Sequence, residues 1–591
     1  MRILLLTHAF NSLAQRIHVE LRRDGHELSV ELDIHDRVSI EAVALFAPQL
    51  VIAPFLKRAI PAAIWQHQTC FIVHPGPPGD RGPAALDWAI LRGLPHWGVT
   101  VLQAQAGLDE GPVWAYADFP MRAVRKSSLY RREVADAAAA AVRAAIGRFV
   151  AGRGPLPPAQ CLSLAGAAQG WQAPLTQAQR AIAWSADDSA AVARKIRASD
   201  GFPGVEHTIL GRRFRMFDAR IADMRATRGF AGISRTQQPG SVLGRGGSDV
   251  DPAAVCLATR DGAVWIGQLQ AVGADSPGFK QPALLALGPL ADGLERYAGN
   301  APAALGAQGD IQYTECGPVG YLRFDFYNGA LGIDQCERLR AAYAHARARP
   351  TRVIVLAGGA DFWCNGMHLH AIEAAASAGC ASWENINGID DLALDIITTE
   401  SHLTVAALGG NAAAGGVFLA LAADHVLALD GVLINAHYRN MGNLFGSEYW
   451  TYLLPRRVGD QRAQQIIAQR LPMGAFEALE IGLIDEIAGP GVEAFAERVA
   501  HRSLAMAGAA TFAAALAAKR ARRAQDERIR ALAAYRAEEL ERMRLNFFGF
   551  DPSYHVARHR FVTRAPAAWT PLHLARHRRI GFQNASAGSS D

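Results

Sequence analysis

A histidine and an aspartate in the first fifth of the sequence have the types and positions needed for proton transfer. His74 ends the apolar run CFIVH and is followed by Pro75 and Gly76, while Asp109 follows the next apolar run, within GLDEG. Side chains at the carboxyl ends of strands in an open α/β sheet project into the ligand crevice. A carboxylate there can orient an imidazole, and the pair can shuttle protons and stabilise a tetrahedral intermediate. The segment therefore predicts acid–base chemistry at a carbonyl carbon.

Two glycine-rich segments in the C-terminal half could stabilise negative charge with backbone groups alone. Each of them, VIVLAGGADFWCNGMHL and VAALGGNAAAGGVFLALAAD, indicates a buried strand, a glycine turn and a helix start. The free N–H groups and positive dipole end of a helix N-terminus stabilise a developing oxyanion. Two such turns facing each other would hold one thioester carbonyl.

The elements that would position the first site alternate as in a parallel α/β sheet. Strands are predicted in RILLLTHAF, HELSVEL, QLVIAPFL, TCFIVHPG and GVTVLQAQ. These runs lack a polar alternate face, as expected when helices cover both sides of a sheet. An alanine-rich helix from Glu133 to Val150 closes this unit, and Gly152 to Gln160 is a Pro/Gly-rich linker.

A smaller, mainly β unit is predicted near residues 170–290, with a short helix from Ser189 to Ala198. After a Gly/Pro/Ala-rich connection the α/β pattern resumes, with a helix from Ile333 to Ala348 and, near the C-terminus, a charged helix from Lys519 to Arg544. We therefore predict four domains, spanning residues 1–155, 156–290, 305–505 and 506–591.

Length, charge and residue composition favour a multidomain protein that binds small molecules over a nucleic-acid-binding, zinc-binding or membrane-spanning protein. A chain of 591 residues is too long for one hydrophobic core. The net charge of +5 is too mild to predict nucleic-acid binding, though it suits anionic small molecules. Seven widely spaced cysteines form no zinc motif, so we predict no metal site and reduced thiols in the cytoplasm. The uncharged stretch from Leu403 to Ala423 contains four glycines and Asn411, which favour a buried strand, turn and helix over a membrane span.

The motifs VHPG, RGP, GVT and GLDEG, in that order, resemble formyltransferases that use 10-formyltetrahydrofolate, over about residues 1–290. The resemblance implies a Rossmann-like N-terminal domain followed by a small β-rich, OB-like domain. It also implies that His74 and Asp109 match two members of the family's Asn–His–Asp catalytic set. The asparagine position, two residues before the histidine, holds Ile72 here. An apolar side chain there suits a thiol acceptor better than an amine.

The two glycine-rich segments, with PMGAFEALEIGLIDEI downstream, resemble the crotonase (enoyl-CoA hydratase/isomerase) superfamily over about residues 310–490. The match implies that the backbone N–H groups of Met367 and Gly415 form the oxyanion hole. It also aligns the two hydratase glutamates with Phe418 and Tyr438. A phenylalanine transfers no proton, so hydration of an enoyl-CoA is not expected. Tyr438 and Glu448 remain as acid and base, with their individual roles left open.

The combination of halves resembles the hydrogenase maturation factors of the HypX/HoxX type, including THAFNSLAQR at the start and FGFDPSYHVARHRFV near the end. What is known of that family implies formyl transfer from 10-formyltetrahydrofolate to coenzyme A. Decarbonylation of formyl-CoA would then supply carbon monoxide for the iron of [NiFe]-hydrogenase. The expected partners are the hydrogenase large subunit or its maturation proteins. The alternatives are a formyltransferase acting on methionyl-tRNA, a non-catalytic assembly scaffold and an acyl-CoA hydratase or isomerase.

Coenzyme A is multiply anionic, and arginine side chains match phosphate groups well. The candidate phosphate ligands are Arg131, Arg542, Arg544, Arg558 and Arg560.

Overall fold

The computed structural model describes residues 1–161, 164, 166–167, 169–223, 237–247, 252–273, 277–297, 309–489 and 491–579. These residues form two compact units. The first comprises residues 1–183, 190–206 and the described part of the chain from 566 onward, and the second comprises residues 184–189 and 207–565. The bounds of the four predicted domains remain predictions, because the division into two compact units does not test them.

The first unit is built on a six-stranded sheet that carries His74 at the end of its fourth strand. In spatial order the strands are Glu27–Leu32, Arg2–Thr7, Leu50–Ala53, Cys70–His74, His96–Gln103 and Val113–Pro120. The first four are parallel, as predicted, but Cys70–His74 pairs antiparallel with His96–Gln103, which pairs antiparallel with Val113–Pro120. An apolar run reports that a strand is buried but not its direction, so the expectation of an all-parallel sheet was wrong at this edge.

The helices Ser12–Arg23, Asp36–Phe46 and Glu133–Val150 pack against this sheet. The other helices up to residue 198 are Ala62–Trp65, Ala85–Arg92, Lys126–Arg131, Gln177–Arg180 and Ser189–Ala198. The predicted helices Glu133–Val150 and Ser189–Ala198 are confirmed with the same bounds. A two-stranded ribbon pairs Asp80–Arg81 with Gly170–Trp171, which fixes the loop that follows His74.

The C-terminal segment of the described chain packs on the strand Glu27–Leu32. Val30 N–H donates to the Leu574 carbonyl, at 3.0 Å. The fully buried ring of His577 lies between Ser29 Oγ, at 2.7 Å from Nδ1, and Glu31 Oε2, at 2.8 Å from Nε2. The segment therefore satisfies polar groups on a strand at the edge of the sheet, where unpaired backbone groups are otherwise exposed.

The second unit contains a mainly antiparallel sheet of seven strands, as the sequence predicts near residues 170–290. The strands are Val205–Ile209, Arg212–Ile221, Val242–Gly246, Val255–Ala258, Ala263–Val272, Pro277–Pro282 and Arg296–Tyr297. A short helix, Ala283–Leu287, follows the sixth strand. A 3-10 turn spans Gly288–Ala291.

The rest of the second unit is a layered α/β body with two sheets. The larger sheet has the strand order Ile311–Cys316, Val319–Phe324, Val353–Ala357, Leu403–Leu408, His425–Ala428 and Glu486–Ile487. The smaller has the order Phe362–Cys364, Asn411–Ala413, Leu433–Asn435 and Met473–Gly474. The stretch from Leu403 to Ala423 forms the predicted strand, Leu403–Leu408, and the predicted helix, Gly415–Leu421, with an additional short strand, Asn411–Ala413, between them. Within the described ranges, no helix is both long and apolar enough to cross a bilayer.

The helices of this body are Ile333–Arg347, Leu369–Ala374, Ala378–Ile397, Gly415–Leu421, Trp450–Val458, Asp460–Gln469, Ala475–Glu480, Val492–Gly508, Phe512–Ile529, Leu532–Phe548 and Ser553–Thr563. The predicted helix from Lys519 to Arg544 was wrong: it is two helices, because Arg530 is extended (φ −157°, ψ 123°). The turn lets Leu532–Phe548 pack against Ala378–Ile397.

Candidate active sites

His74 lies between two carboxylates at the end of its strand. Its Nε2 is 2.8 Å from Asp80 Oδ1, and its Nδ1 is 3.6 Å from Asp109 Oδ2. His74 and Asp80 are buried, whereas 19% of the Asp109 side chain is exposed. The structure thus brings together His74 and Asp109 as the sequence predicts. The spacing to Asp109 is longer than a hydrogen bond, so the closer partner of the imidazole is Asp80.

Asp80 was missed by the sequence reasoning, although it stands only six residues after His74 in PGPPGDRGP. Close approach of the loop makes the pair possible. A Cβ at Gly76 would lie 2.6 Å from His74 Nε2 and 2.5 Å from Asp80 Oδ1. Only glycine fits there. With Asp80 accepting from Nε2–H, the Nδ1 side, which faces the more exposed Asp109, is left to exchange a proton.

Ile72 occupies the same strand two residues before the histidine. Its side chain is half-buried and packs against the apolar cluster of the sheet. It offers no hydrogen-bond donor, so any polarisation of a formyl oxygen at this site has to come from the imidazole or backbone groups.

In the second unit the two glycine turns meet. A Cβ at Gly366 would lie 3.4 Å from the backbone nitrogen of Gly415. Gly415 begins the helix Gly415–Leu421, and Ala414 before it has the unfavourable dihedrals φ 49° and ψ −129°. Within the described chain, neither the Met367 nor the Gly415 N–H donates a hydrogen bond. An oxyanion hole requires two such unused donors close together. The strain at Ala414 is consistent with a functional turn.

Tyr438 and Glu448 form a buried hydrogen-bonded pair next to these turns. The Tyr438 hydroxyl lies 2.5 Å from Glu448 Oε2 and 2.8 Å from the Ser447 carbonyl oxygen. A Cβ at Gly415 would lie only 2.1 Å from Glu448 Oε1, so the carboxylate rests directly against the Gly415 backbone. The predicted phenol and carboxylate therefore converge where the two turns meet.

Burial sets the proton affinities of this pair. Desolvation, followed by the charge of Asp390, holds the pKa of Glu448 well above its usual value. Desolvation and the charge of Glu448 likewise hold the pKa of Tyr438 well above 10. Glu448 is therefore a much stronger base than an exposed carboxylate. When Glu448 is ionised, the Tyr438 hydroxyl can donate to it. When Glu448 is protonated, its own hydroxyl can donate to Tyr438 while Tyr438 donates to the Ser447 carbonyl oxygen.

Two further buried carboxyls, missed from the sequence, support the turn that carries Glu448. Asp390 accepts from Glu448 N–H, at 2.7 Å, and from Ser447 Oγ–H, at 2.8 Å. Glu539 accepts from the N–H groups of Tyr449, at 2.9 Å, and Thr451, at 2.8 Å. Burial raises the pKa of Asp390 to about 6 and that of Glu539 to about 8. An acidic residue in a helix is normally read as a solvated face, which is why neither was found.

These hydrogen bonds offset backbone strain. Glu448 and Tyr449 are both left-handed, with φ of 60° and 59°. Each such non-glycine residue costs roughly 1–2 kcal/mol. A hydrogen bond contributes roughly 0.5–1.5 kcal/mol, or roughly 1.5–3 kcal/mol when one partner is charged, so the N–H bonds to Asp390 and Glu539 offset strain of this size.

Phe418, which the sequence aligned with a hydratase glutamate, is fully buried and stacks on Tyr438 with ring centroids 5.3 Å apart. An aromatic face therefore packs where a hydratase would need a second carboxylate. This packing orients the phenol ring, and the absence of hydratase activity stays a prediction.

The candidate phosphate ligands differ in setting. Arg542 and Arg544 are exposed on the helix Leu532–Phe548, and Arg131 and Arg560 are half-buried. Arg558 is buried and pairs with Glu373 at 2.7 Å. That internal ion pair favours a structural role for Arg558 over phosphate binding.

Three family models match separate parts of the chain. Formyl transferase matches residues 2–146, and Formyl transferase, C-terminal domain matches residues 174–277. Enoyl-CoA hydratase/isomerase matches residues 328–570. The predicted α/β fold class, with a formyltransferase half and a crotonase-like half, is confirmed.

Relatives span nearly the whole chain. Hydrogenase maturation factor HoxX of Bradyrhizobium diazoefficiens is 50% identical over 98% of this chain and 97% of its own length. The crystal structure of HypX from Aquifex aeolicus in complex with tetrahydrofolic acid is 42% identical, with a TM-score of 0.89 over 98% of this chain and 99% of that one. Methionyl-tRNA formyltransferase of Stenotrophomonas maltophilia is 29% identical over 35% of this chain and 64% of its own length.

Proposed function

This chain belongs to the family of the hydrogenase maturation factors HypX and HoxX, and from that premise we propose that it makes carbon monoxide in two steps. Formyl passes from 10-formyltetrahydrofolate to the thiol of coenzyme A, and formyl-CoA is then split into carbon monoxide and coenzyme A. The carbon monoxide is a ligand for the active-site iron of a [NiFe]-hydrogenase. The hydrogenase large subunit or one of its maturation proteins, in the cytoplasm, receives it.

In the first step His74 takes the proton of the coenzyme A thiol. The resulting thiolate attacks the formyl carbon, and the C–N10 bond of the folate breaks as N10 receives that proton. Asp80, 2.8 Å from Nε2, stabilises the transient imidazolium, and Asp109 stands on the open side of the ring. The Ile72 side chain has no polar group that could assist attack by an amine, which supports a thiol as the group that receives the formyl.

In the second step the N–H groups of Met367 and Gly415 bind the thioester oxygen. Glu448 takes the formyl hydrogen as a proton while the C–S bond breaks, and the sulfur receives a proton from Tyr438. A formyl C–H is a poor acid, so removal of the proton and loss of sulfur are concerted in a dry pocket. The raised pKa of Glu448 supports its assignment as the base.

The hydrogen bond between Tyr438 and Glu448 returns the site to its starting state. After the reaction Glu448 carries a proton and Tyr438 lacks one, and the proton passes back across the 2.5 Å contact. No net proton is exchanged with solvent, and coenzyme A is released unchanged as a recycled cofactor. Its phosphates are held by arginines drawn from Arg131, Arg542, Arg544 and Arg560.

The observation that carries this proposal is the buried Tyr438–Glu448 pair, seated against the Gly415 turn in a region that resembles enzymes of acyl-CoA thioesters. The test mixes the purified full-length protein with 10-formyltetrahydrofolate, with and without coenzyme A, and captures carbon monoxide on haemoglobin. Carbon monoxide is expected only when coenzyme A is present.

Two variants separate the steps. Tyr438→Phe and Glu448→Gln are each expected to accumulate formyl-CoA, measured by chromatography of the quenched reaction, and to release little carbon monoxide. Undiminished carbon monoxide release from both variants would remove the second step from the proposal. Release without coenzyme A would remove the thioester intermediate.

A further inference from the structure

Asp390 is a fully buried carboxyl in the middle of the helix Ala378–Ile397. Its Oδ1 accepts the backbone N–H of Glu448 at 2.7 Å. Both of its oxygens lie 2.8 Å from Ser447 Oγ. In the proposed mechanism Asp390 takes no proton from the substrate or the sulfur. Asp390 contacts the Ser447–Glu448 turn, which carries the base, and it does not contact the reacting groups.

We propose that Asp390 is a positioning residue for the decarbonylation step, holding the Ser447–Glu448 backbone so that the Glu448 carboxylate lies against Gly415 and Tyr438. This inference rests on the proposed function. A left-handed residue places its side chain where an ordinary helical or extended residue would not, so the φ of 60° at Glu448 decides where its carboxylate goes. The Asp390 carboxylate binds the N–H of that residue and holds the conformation.

Glu539 anchors the turn from the opposite helix. Its carboxyl accepts from the N–H groups of Tyr449 and Thr451, and it is as deeply buried as Asp390. One acid from each of the helices Ala378–Ile397 and Leu532–Phe548 thus hydrogen-bonds the same turn. Of the two, Asp390 binds Glu448 itself, which makes it the residue whose loss most directly moves the base.

Asp390 also acts on the base through its charge. The ionisable groups whose charges bear on the carboxyl of Glu448, or feel its charge in return, are Asp390, Glu539, Tyr438, Cys336 and Cys364. Arg536 lies 3.7 Å from Asp390 and partly neutralises it. After desolvation, the negative charge of Asp390 is the largest influence that raises the pKa of Glu448. A higher proton affinity helps a carboxylate remove the weakly acidic formyl hydrogen.

The test compares Asp390→Asn with the wild type, using synthetic formyl-CoA as the substrate and carbon monoxide captured on haemoglobin as the readout. Asparagine can still accept the Glu448 N–H but carries no charge. We expect the pH at which kcat is half-maximal on the acid side to fall by about one unit, because Glu448 ionises more easily without the neighbouring charge. The plateau kcat should fall several-fold while KM stays near the wild-type value.

Asp395→Asn is the matched control. Asp395 lies on the same helix and pairs with Arg340 at 3.0 Å, whereas the acids that accept from the Glu448 and Tyr449 N–H groups are Asp390 and Glu539. It should keep the wild-type acid limb and kcat. An Asp390→Asn enzyme with the wild-type acid limb and kcat would overturn the inference, as would an equal shift in Asp395→Asn. If the wild type releases no carbon monoxide from formyl-CoA, the proposed function fails instead.

Ser447→Ala provides a second variant in case Asp390→Asn does not fold. It removes one of the two donors held by Asp390 and leaves the charge in place. A lower kcat with the acid limb near its wild-type position is expected, because the turn loosens without losing the carboxylate. A wild-type kcat in Ser447→Ala would overturn the positioning role.

Discussion

A single methyl group added at Gly415 should displace the proposed base. In Gly415→Ala the new Cβ would lie 2.1 Å from Glu448 Oε1 and 2.5 Å from its Cδ, whereas Cβ contacts do not fall below 3.0 Å. The carboxylate must therefore retreat by about 0.9 Å, the difference between 3.0 and 2.1 Å. A misplacement of about 1 Å at a reacting group costs roughly 100-fold in rate, or about 2.7 kcal/mol of transition-state stabilisation.

The assay is carbon monoxide release from synthetic formyl-CoA, with kcat and KM measured separately. We expect the loss in kcat. Gly508→Ala is the control, because a Cβ at that helical position meets no atom within 4 Å. The double variant Gly415→Ala/Glu448→Gln should be no slower than Glu448→Gln alone, since both changes remove the same base. Full additivity of the two losses, or a wild-type kcat in Gly415→Ala, would refute the reasoning.

Three more outcomes are expected. His74→Ala should slow formyl transfer from 10-formyltetrahydrofolate by roughly 10²- to 10⁴-fold, while release of carbon monoxide from added formyl-CoA continues. Gly147→Ala should raise the free energy of unfolding by about 0.5–1 kcal/mol, because the added methyl meets no atom within 4 Å in the helix Glu133–Val150. Burial raises the pKa of Glu539 from 4.5 to about 8, so the folded state holds a proton that the unfolded chain releases. Stability contributed by this group should therefore fall as pH rises from about 4.5 to about 8, and Glu539→Gln should flatten that dependence.

Each outcome has a measurement that could contradict it. Loss of both activities in His74→Ala would mean that the two steps are not separable. A lower denaturant midpoint for Gly147→Ala would show that the helix is constrained there. An unchanged slope of unfolding free energy against pH in Glu539→Gln would show that Glu539 is ionised in the folded protein across that range.

Local patterns in the sequence were sufficient for many of the elements and for part of each site, although they missed the antiparallel edge of the first sheet and the break at Arg530. Apolar runs and glycine turns predicted the strand that ends at His74 and the helix that begins at Gly415, since both are decided by neighbours within a few residues. Tyr438 and Glu448, only ten residues apart, were also found together. The resemblance to known families led to the prediction that the Met367 and Gly415 N–H groups are the oxyanion donors.

What the tertiary structure decided was which polar groups are buried against which. Asp390 and Glu539 lie 58 and 90 residues from the backbone groups that they bind, and His577 lies 548 residues from Ser29. An acid in a helix has the same local pattern whether it faces water or a strained turn. Only the packing of distant helices brings such a carboxyl next to its N–H partners and removes water from it. The loss of water is what raises its pKa.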